Sequence, residues 1–199
     1  PLYPVPQTFV TGGLMNHVYE GEYAVLVPVR VPQGGAGAAP VPIAVKAQWL
    51  ACTDTICVPE QAMLRATIPA GGKVDTRFDA WRMALPPPLD SPATFVVADG
   101  TLRLAIPLPE NVDLADPHVF IEEDGLVEYA GAQAFLRAGD AVIVEIPGRG
   151  SAAVKAVHGI LRLHGGDGVR FSALPGTVPR GGVPVAGSGT SVVGPFWLM

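Results

Sequence analysis

The chain has 199 residues, a net charge of −5 and only 16% charged residues, while 49% are apolar. That is too hydrophobic for a disordered chain and too poor in cations to hold a phosphate backbone, so disorder and a nucleic-acid partner are both excluded. Nor does any apolar run reach the roughly 18 residues a membrane helix needs. The 24 glycines and 21 prolines punctuate short Val, Ile and Leu runs. Such breaks interrupt helices most severely, which indicates an all-β chain.

Residues 1–22 read as loop, with a Gly12-Gly13 break and the cluster Asn16-His17-Val18-Tyr19-Glu20. Tyr23 to Val31 predicts a strand, because Tyr23, Val25, Val27, Val29 and Val31 share a face at period two. Pro28 falls on the other face, so that strand is expected at an edge or with a bulge. Gln33 to Pro40 is a hairpin loop by composition. A second strand, Val41 to Leu50, turns Ile43, Val45, Ala47 and Trp49 to one side. Then comes Cys52-Thr-Asp-Thr-Ile-Cys57-Val-Pro-Glu60, followed by a third strand from Ala62 to Pro69. A complete sandwich needs about seven strands. The first domain, residues 1–74, is therefore expected either to have lost N-terminal strands or to recruit residues 1–15 in their place.

The spacing of Phe78, Trp81 and Leu85 predicts a helix over 76–85, capped by Asp75 or Thr76 and stopped by Pro86-Pro87-Pro88. Residues 75–90 would be a linker. From 91 to 176 a series of short strands follows: Thr94–Ala98, Thr101–Ile106, His118–Ile121, Leu126–Tyr129, Gln133–Arg137, Ala141–Ile146, Ala153–Leu163 and Val169–Ala173. Asp99-Gly100 signals a tight hairpin, and Gly165 to Gly168 a longer turn. Turns at this regular spacing predict a second sandwich. Residues 177–199 are rich in Gly, Pro, Ser and Val without periodicity and read as a tether. Its end, Gly194-Pro-Phe-Trp-Leu-Met199, reads either as the start of a membrane helix or as a merely apolar tail. The architecture expected is thus two immunoglobulin-like β-sandwiches joined by a short helix and a proline-rich linker. Because the chain begins at Pro1 without a charged-then-apolar leader, any signal peptide is expected to be already removed.

Chemistry concentrates at the two cysteines, Cys52 and Cys57, which flank a tight turn at a strand end. One reading is a structural staple, common in exported domains. The other is redox exchange. A loop this small constrains the unfolded chain by only about 2 kcal/mol, and accessible bonds of this kind are the labile ones. A zinc site would need two further ligands, and His17, His118, His158 and His164 show no paired spacing. Asp54, between the cysteines, would disfavour a thiolate or serve the turn. His17, Tyr19 and Glu20 are either solvated loop residues or a loop lying over the cysteines. No nucleophile elbow, phosphate loop or dinucleotide fingerprint is present. Glu122-Glu123 reads as a solvated turn, and Trp49 and Trp81 as core.

The segment Ala47-Gln-Trp-Leu-Ala-Cys52-Thr-Asp-Thr-Ile-Cys57-Val-Pro-Glu60, with Leu64 and Ile68-Pro-Ala-Gly71, resembles the N-terminal periplasmic region of DsbD-type transmembrane thiol:disulfide reductases. It is most similar to the ScsB-like branch associated with copper tolerance, whose pattern is Trp-Leu-x-Cys followed by Cys-Val-Pro-Glu. Pro4-x-Pro6 and Val18-Tyr19-Glu20-Gly21-Glu22 carry the same likeness, which covers residues 1–75 well and 76–176 only loosely.

The resemblance implies an immunoglobulin-like electron shuttle without a bound cofactor, at the periplasmic face of the bacterial inner membrane. It would be reduced by a thioredoxin-like domain of the same protein and would reduce periplasmic thioredoxin-fold oxidoreductases. Cys57 would form the mixed disulfide and Cys52 would resolve it. His17, Val18, Tyr19 and Glu20 would supply the cap loop and partner contacts, and the C-terminal part would connect to the membrane. Two departures stand out. The well-studied branch has five residues between its cysteines against four here, and the acidic residues beside its cap are replaced by Asn16 and His17. The competing readings are a non-catalytic exported binding module with a structural disulfide, and a copper module using Cys52, Cys57 and His17.

Overall fold

The computed structural model describes residues 1–11, 13–30, 40–53, 56–71, 73–149 and 154–186. The chain opens with a short antiparallel hairpin, β1 (Gln7–Thr11) and β2 (Leu14–Val18), paired from Gln7↔Val18 to Thr11↔Leu14. Gly13 closes its turn at φ 78°, a conformation that only glycine adopts without strain. Tyr23 to Arg30 forms no strand; Leu2 and Leu26 exchange both backbone hydrogen bonds as an isolated bridge.

The next two strands, β3 (Val41–Cys52) and β4 (Cys57–Ile68), make a hairpin of their own, with twelve residues in each arm. Their register runs one for one, without a bulge, from Val41↔Ile68 to Cys52↔Cys57. Period-two alternation of apolar residues built β3, but here both faces remain largely open. Val45, Trp49, Leu50, Val58, Met63, Leu64 and Ile68 are all exposed.

Helix α1 (Arg77–Met83) follows, shorter at both ends than the predicted 76–85. Thr76 occupies the cap position without a side-chain bond, and Asp75 Oδ1 instead accepts from the Arg77 N–H at 3.0 Å. No helix among the described residues is long and apolar enough to cross a membrane.

The remaining strands form one continuous ladder: β5 (Ala93–Ala98), β6 (Thr101–Pro107), β7 (His118–Ile121), β8 (Ala134–Arg137), β9 (Ala141–Pro147), β10 (Val157–His164), β11 (Asp167–Pro175) and β12 (Val183–Pro184). They run in the order β12-β8-β9-β6-β5-β11-β10-β7, antiparallel except for β5 beside β11. The runs β8-β9-β6-β5 and β11-β10-β7, joined by that parallel contact, reproduce the strand order of a constant-type immunoglobulin sandwich. Alternate residues face inward. Leu102, Leu104 and Ile106 of β6 meet Val142, Val144 and Ile146 of β9, all fully buried, together with Val119, Leu161 and Phe171. At Asp99-Gly100 both residues have positive φ, as a two-residue hairpin with right-handed strands requires.

On the outer face of β7 and β10, Phe120 and Ile160 are covered by Val5, forming a second small cluster. The N-terminal hairpin therefore lies on this sheet rather than in open solvent.

Several expectations change. Residues 1–22 contain the β1–β2 hairpin rather than loop alone. Leu126 and Val127 are buried in the core, but their backbone pairs with the sheet at the isolated Val127↔Gly148 bridge and forms no strand. The turn after β10 is tight, with His164 opposite Asp167. Pro87 and Leu89 bond to Arg170, so the proline run is built onto β11. The tether is corrected over 177–186. Val178 is buried, the Thr94 hydroxyl donates to the Thr177 carbonyl at 2.9 Å, Arg103 donates to the Pro179 carbonyl at 3.0 Å, and β12 pairs with β8. The loop assigned to 33–39, Asp54, and the tail 187–199 lie outside the described residues.

Candidate functional site: a hairpin-tip disulfide facing a tyrosine wall

The one-for-one register of β3 and β4 brings Cys52 opposite Cys57, and a disulfide joins them with Cα atoms 4.0 Å apart. The Thr53 N–H donates to the Ile56 carbonyl at 2.8 Å. That makes 53 and 56 the hydrogen-bonded pair and leaves 52 and 57 as a non-bonded pair, where antiparallel Cα atoms come closest. Thr53 also closes the turn through its side chain, whose Oγ1 accepts the Ile56 N–H at 3.3 Å. Strand pairing and turn chemistry, rather than a packed core, hold the two sulfurs together. Cys52 is exposed and Cys57 half-buried, so the bond is open to another molecule.

Beside Cys52 is a pocket of about 500 Å³. One wall is the hairpin tip, with Gln48, Trp49, Leu50, Cys52 and Thr53. The other comes from the N-terminal segment, where His17, Val18, Tyr19 and Glu20 all line the pocket. The four residues singled out in the sequence thus all border the pocket beside Cys52. Tyr3 and Tyr23, which the sequence did not mark as neighbours of the cysteines, stand with them. The Tyr19 ring stacks between them, its centroid 6.2 Å from Tyr3 and 4.8 Å from Tyr23. Its hydroxyl donates to the Pro4 carbonyl at 3.2 Å. Burial, with Tyr3 and Tyr23 adding to it, pushes the Tyr19 pKa up to about 12, so the phenol stays neutral and remains a donor.

His17 turns its ring toward the large sheet. It meets Phe120 edge-on at 4.8 Å between centroids and Tyr129 at 5.9 Å. Partial burial pulls its pKa below the ordinary value. Tyr129 is fixed by donating to the Glu123 carbonyl at 3.1 Å. No cluster of three His, Cys, Asp or Glu side chains able to hold a metal occurs among the described residues. The pocket lining includes Glu20 but no Lys or Arg among the described residues, so no fixed cation there favours a thiolate.

Residues 1–69 match the family model described as thiol:disulfide interchange protein DsbD, N-terminal. No curated protein and no solved structure matches the chain. The matched third of the chain is the part that carries the Cys52–Cys57 disulfide, and it is similar to the N-terminal region of DsbD-type thiol:disulfide interchange proteins.

Proposed function

We propose that the Cys52–Cys57 pair passes reducing equivalents between thioredoxin-fold proteins at the periplasmic face of the inner membrane. It would do so as part of a transmembrane thiol:disulfide reductase of the ScsB-like kind. The observation that carries this reading is the placement of the bond, at an exposed hairpin tip facing an aromatic-walled pocket.

In the reducing direction, the Cys57 thiolate attacks one sulfur of a partner's disulfide. The partner's S–S bond breaks and its electron pair leaves on the other partner sulfur. The Cys52 thiolate then attacks Cys57 in the mixed disulfide. The Cys52–Cys57 bond re-forms, and the partner departs as a dithiol, two electrons richer. A thioredoxin-like domain of the same protein returns the pair to the dithiol by the same steps in reverse. Tyr19, with His17, Val18 and Glu20, acts as the cap that limits exchange between encounters. The eight-stranded sheet is a second, separate domain under this reading.

The rival reading, a structural staple in a binding module, draws on one observation: a two-stranded hairpin open on both faces is marginal by itself and gains from a cross-link. Two measurements separate them. Cys52→Ala should accumulate a mixed disulfide through Cys57 with a thioredoxin-fold protein. In a glutathione series the wild-type pair should be partly reduced near periplasmic potentials. A bond that stays oxidised below about −300 mV and variants that trap nothing would mean a staple.

A further inference from the structure

A second cleft adjoins the tyrosine wall, a groove of about 400 Å³ assembled from three parts of the chain far apart in sequence. The N-terminal segment contributes Val5 and Tyr23, the end of α1 and the proline run contribute Leu85 and Pro86, and the β10–β11 turn contributes Asp167 and Gly168. Val5, Pro86 and Gly168 are buried. A Cβ on Gly168 would lie 2.8 Å from a Val5 methyl, so turn and N-terminal segment meet with no side chain between them. The groove is thus built jointly by the N-terminal region and the eight-stranded sheet.

Its charge is one-sided. Glu20, Glu22 and Asp167 stand along the lining, and no Lys, Arg or His does. Glu20 and Glu22 make no hydrogen bond or ion pair among the described residues, while Asp167 meets His164 Nδ1 at 3.4 Å. The 13 lysines and arginines of the chain all lie among the described residues, and each belongs to some other part of the surface or core. A fixed cation for these carboxylates has to come from another molecule. The aromatic side of the groove narrows its chemistry. Tyr19 stacks on Tyr23 at 4.8 Å between centroids, yet Tyr23 remains 53% exposed. An open tyrosine ring beside carboxylates suits a guanidinium better than an ammonium, because the planar, weakly hydrated group can stack and pair at once. The apolar lining suits the methylene stem that carries it.

We propose that this groove receives an arginine side chain presented by a partner protein, stacked on Tyr23 and paired with Glu22 and Asp167. The assignment rests on the groove's own lining and stands whether Cys52–Cys57 exchanges or cross-links. Val18, Tyr19, Glu20 and Tyr23 line both this groove and the pocket beside Cys52, so the two form one continuous surface. A protein that reaches the hairpin tip is thereby also selected for a basic side chain, and the β10–β11 turn gives the eight-stranded sheet a part in that selection.

The test is a titration of the full chain with the peptide acetyl-Ala-Arg-Ala-amide, followed by the amide NMR shifts of Gly166 and Gly168. The same peptide with neutral citrulline, and with lysine, in place of arginine serves as comparison. Arginine should give saturable shifts, citrulline none, and lysine about two- to fivefold weaker binding. Glu22→Gln and Asp167→Asn should each weaken the arginine peptide by about two- to fivefold, the range of an exposed ion pair, and together by roughly the product. Added salt should weaken binding to wild type more than to the double variant. Both positions are exposed, and thermal melts check that each variant stays folded. Citrulline binding as well as arginine, a double variant binding like wild type, or no saturation at tens of millimolar peptide overturns the site. Lysine binding as well as arginine overturns the stacked guanidinium. The chain alone should sediment as a monomer; a dimer that Glu22→Gln disperses would seat a second copy in the groove and overturn the choice of partner.

Discussion

His118 shows how far a single buried side chain can tie stability to pH. It sits on β7 with the Gln133 amide nitrogen 3.2 Å from its Nε2. Gln133 is locked in turn, accepting from the Val119 N–H at 2.8 Å and donating to the Val119 carbonyl at 2.9 Å. Burial first, then Arg162 and His17, hold its pKa down to about 3. The folded state therefore keeps the ring neutral where the unfolded chain, with an ordinary value near 6.5, takes up a proton. Its full contribution is present above about pH 6.5 and is lost progressively as pH falls toward 3, a few kcal/mol in all. Urea titrations at successive pH values should show this acid limb in wild type and a flatter one in His118→Gln. If both limbs have the same slope, His118 is not the group responsible.

At the scale of elements, strands could be read from the sequence wherever one alternating face was destined for a core. β5, β6, β9 and most of β10 and β11 fell where Val, Leu and Ile alternate, because a sheet covered on one face leaves that imprint. Tyr23 to Arg30 carries the same imprint without a strand. Alternation describes side chains, whereas a strand needs a neighbour for its backbone, and apart from Leu26 this stretch finds none among the described residues. The β1–β2 hairpin was invisible for the opposite reason: Thr8, Asn16 and His17 gave no apolar face, and the contacts that matter are aromatic ones made across the fold. The cysteines and the 17–20 cluster were legible from local motif. Tyr3 and Tyr23 were not, since only the folded chain brings them beside Tyr19.

The β3–β4 hairpin combines the longest strands with the most exposed faces, so its order depends on the ladder and the bond at its tip. Closing so small a loop stabilises it by about 2 kcal/mol, comparable to what an isolated hairpin lacks. Reduction should therefore raise amide hydrogen exchange across 41–52 and 57–68 by an order of magnitude or more, leaving β6 and β9 unchanged. Equal protection in both redox states would show that the arms are held by something other than the disulfide.

Across the whole molecule, order and chemistry are unevenly shared. Of the buried Val, Ile, Leu, Phe and Ala side chains among the described residues, all but Val5 fall between Ala93 and Val178, and that region also holds the buried ion-paired Arg162. The N-terminal third contributes the reactive bond and almost none of the core. Folding free energy scales with apolar area removed from water, so residues 86–186 should fold without the rest. Produced alone, they should give one cooperative calorimetric transition. It should lie below that of the full chain by roughly 1–3 kcal/mol, the cost of uncovering Phe120 and Ile160 where Val5 and His17 had lain. The uncovered face should also bind a hydrophobic dye that the full chain excludes. A fragment that melts without cooperativity would mean that the N-terminal hairpin belongs to the folding unit of the sheet rather than resting upon it. The separation between a stable platform and a loosely held reactive tip would then have to be abandoned.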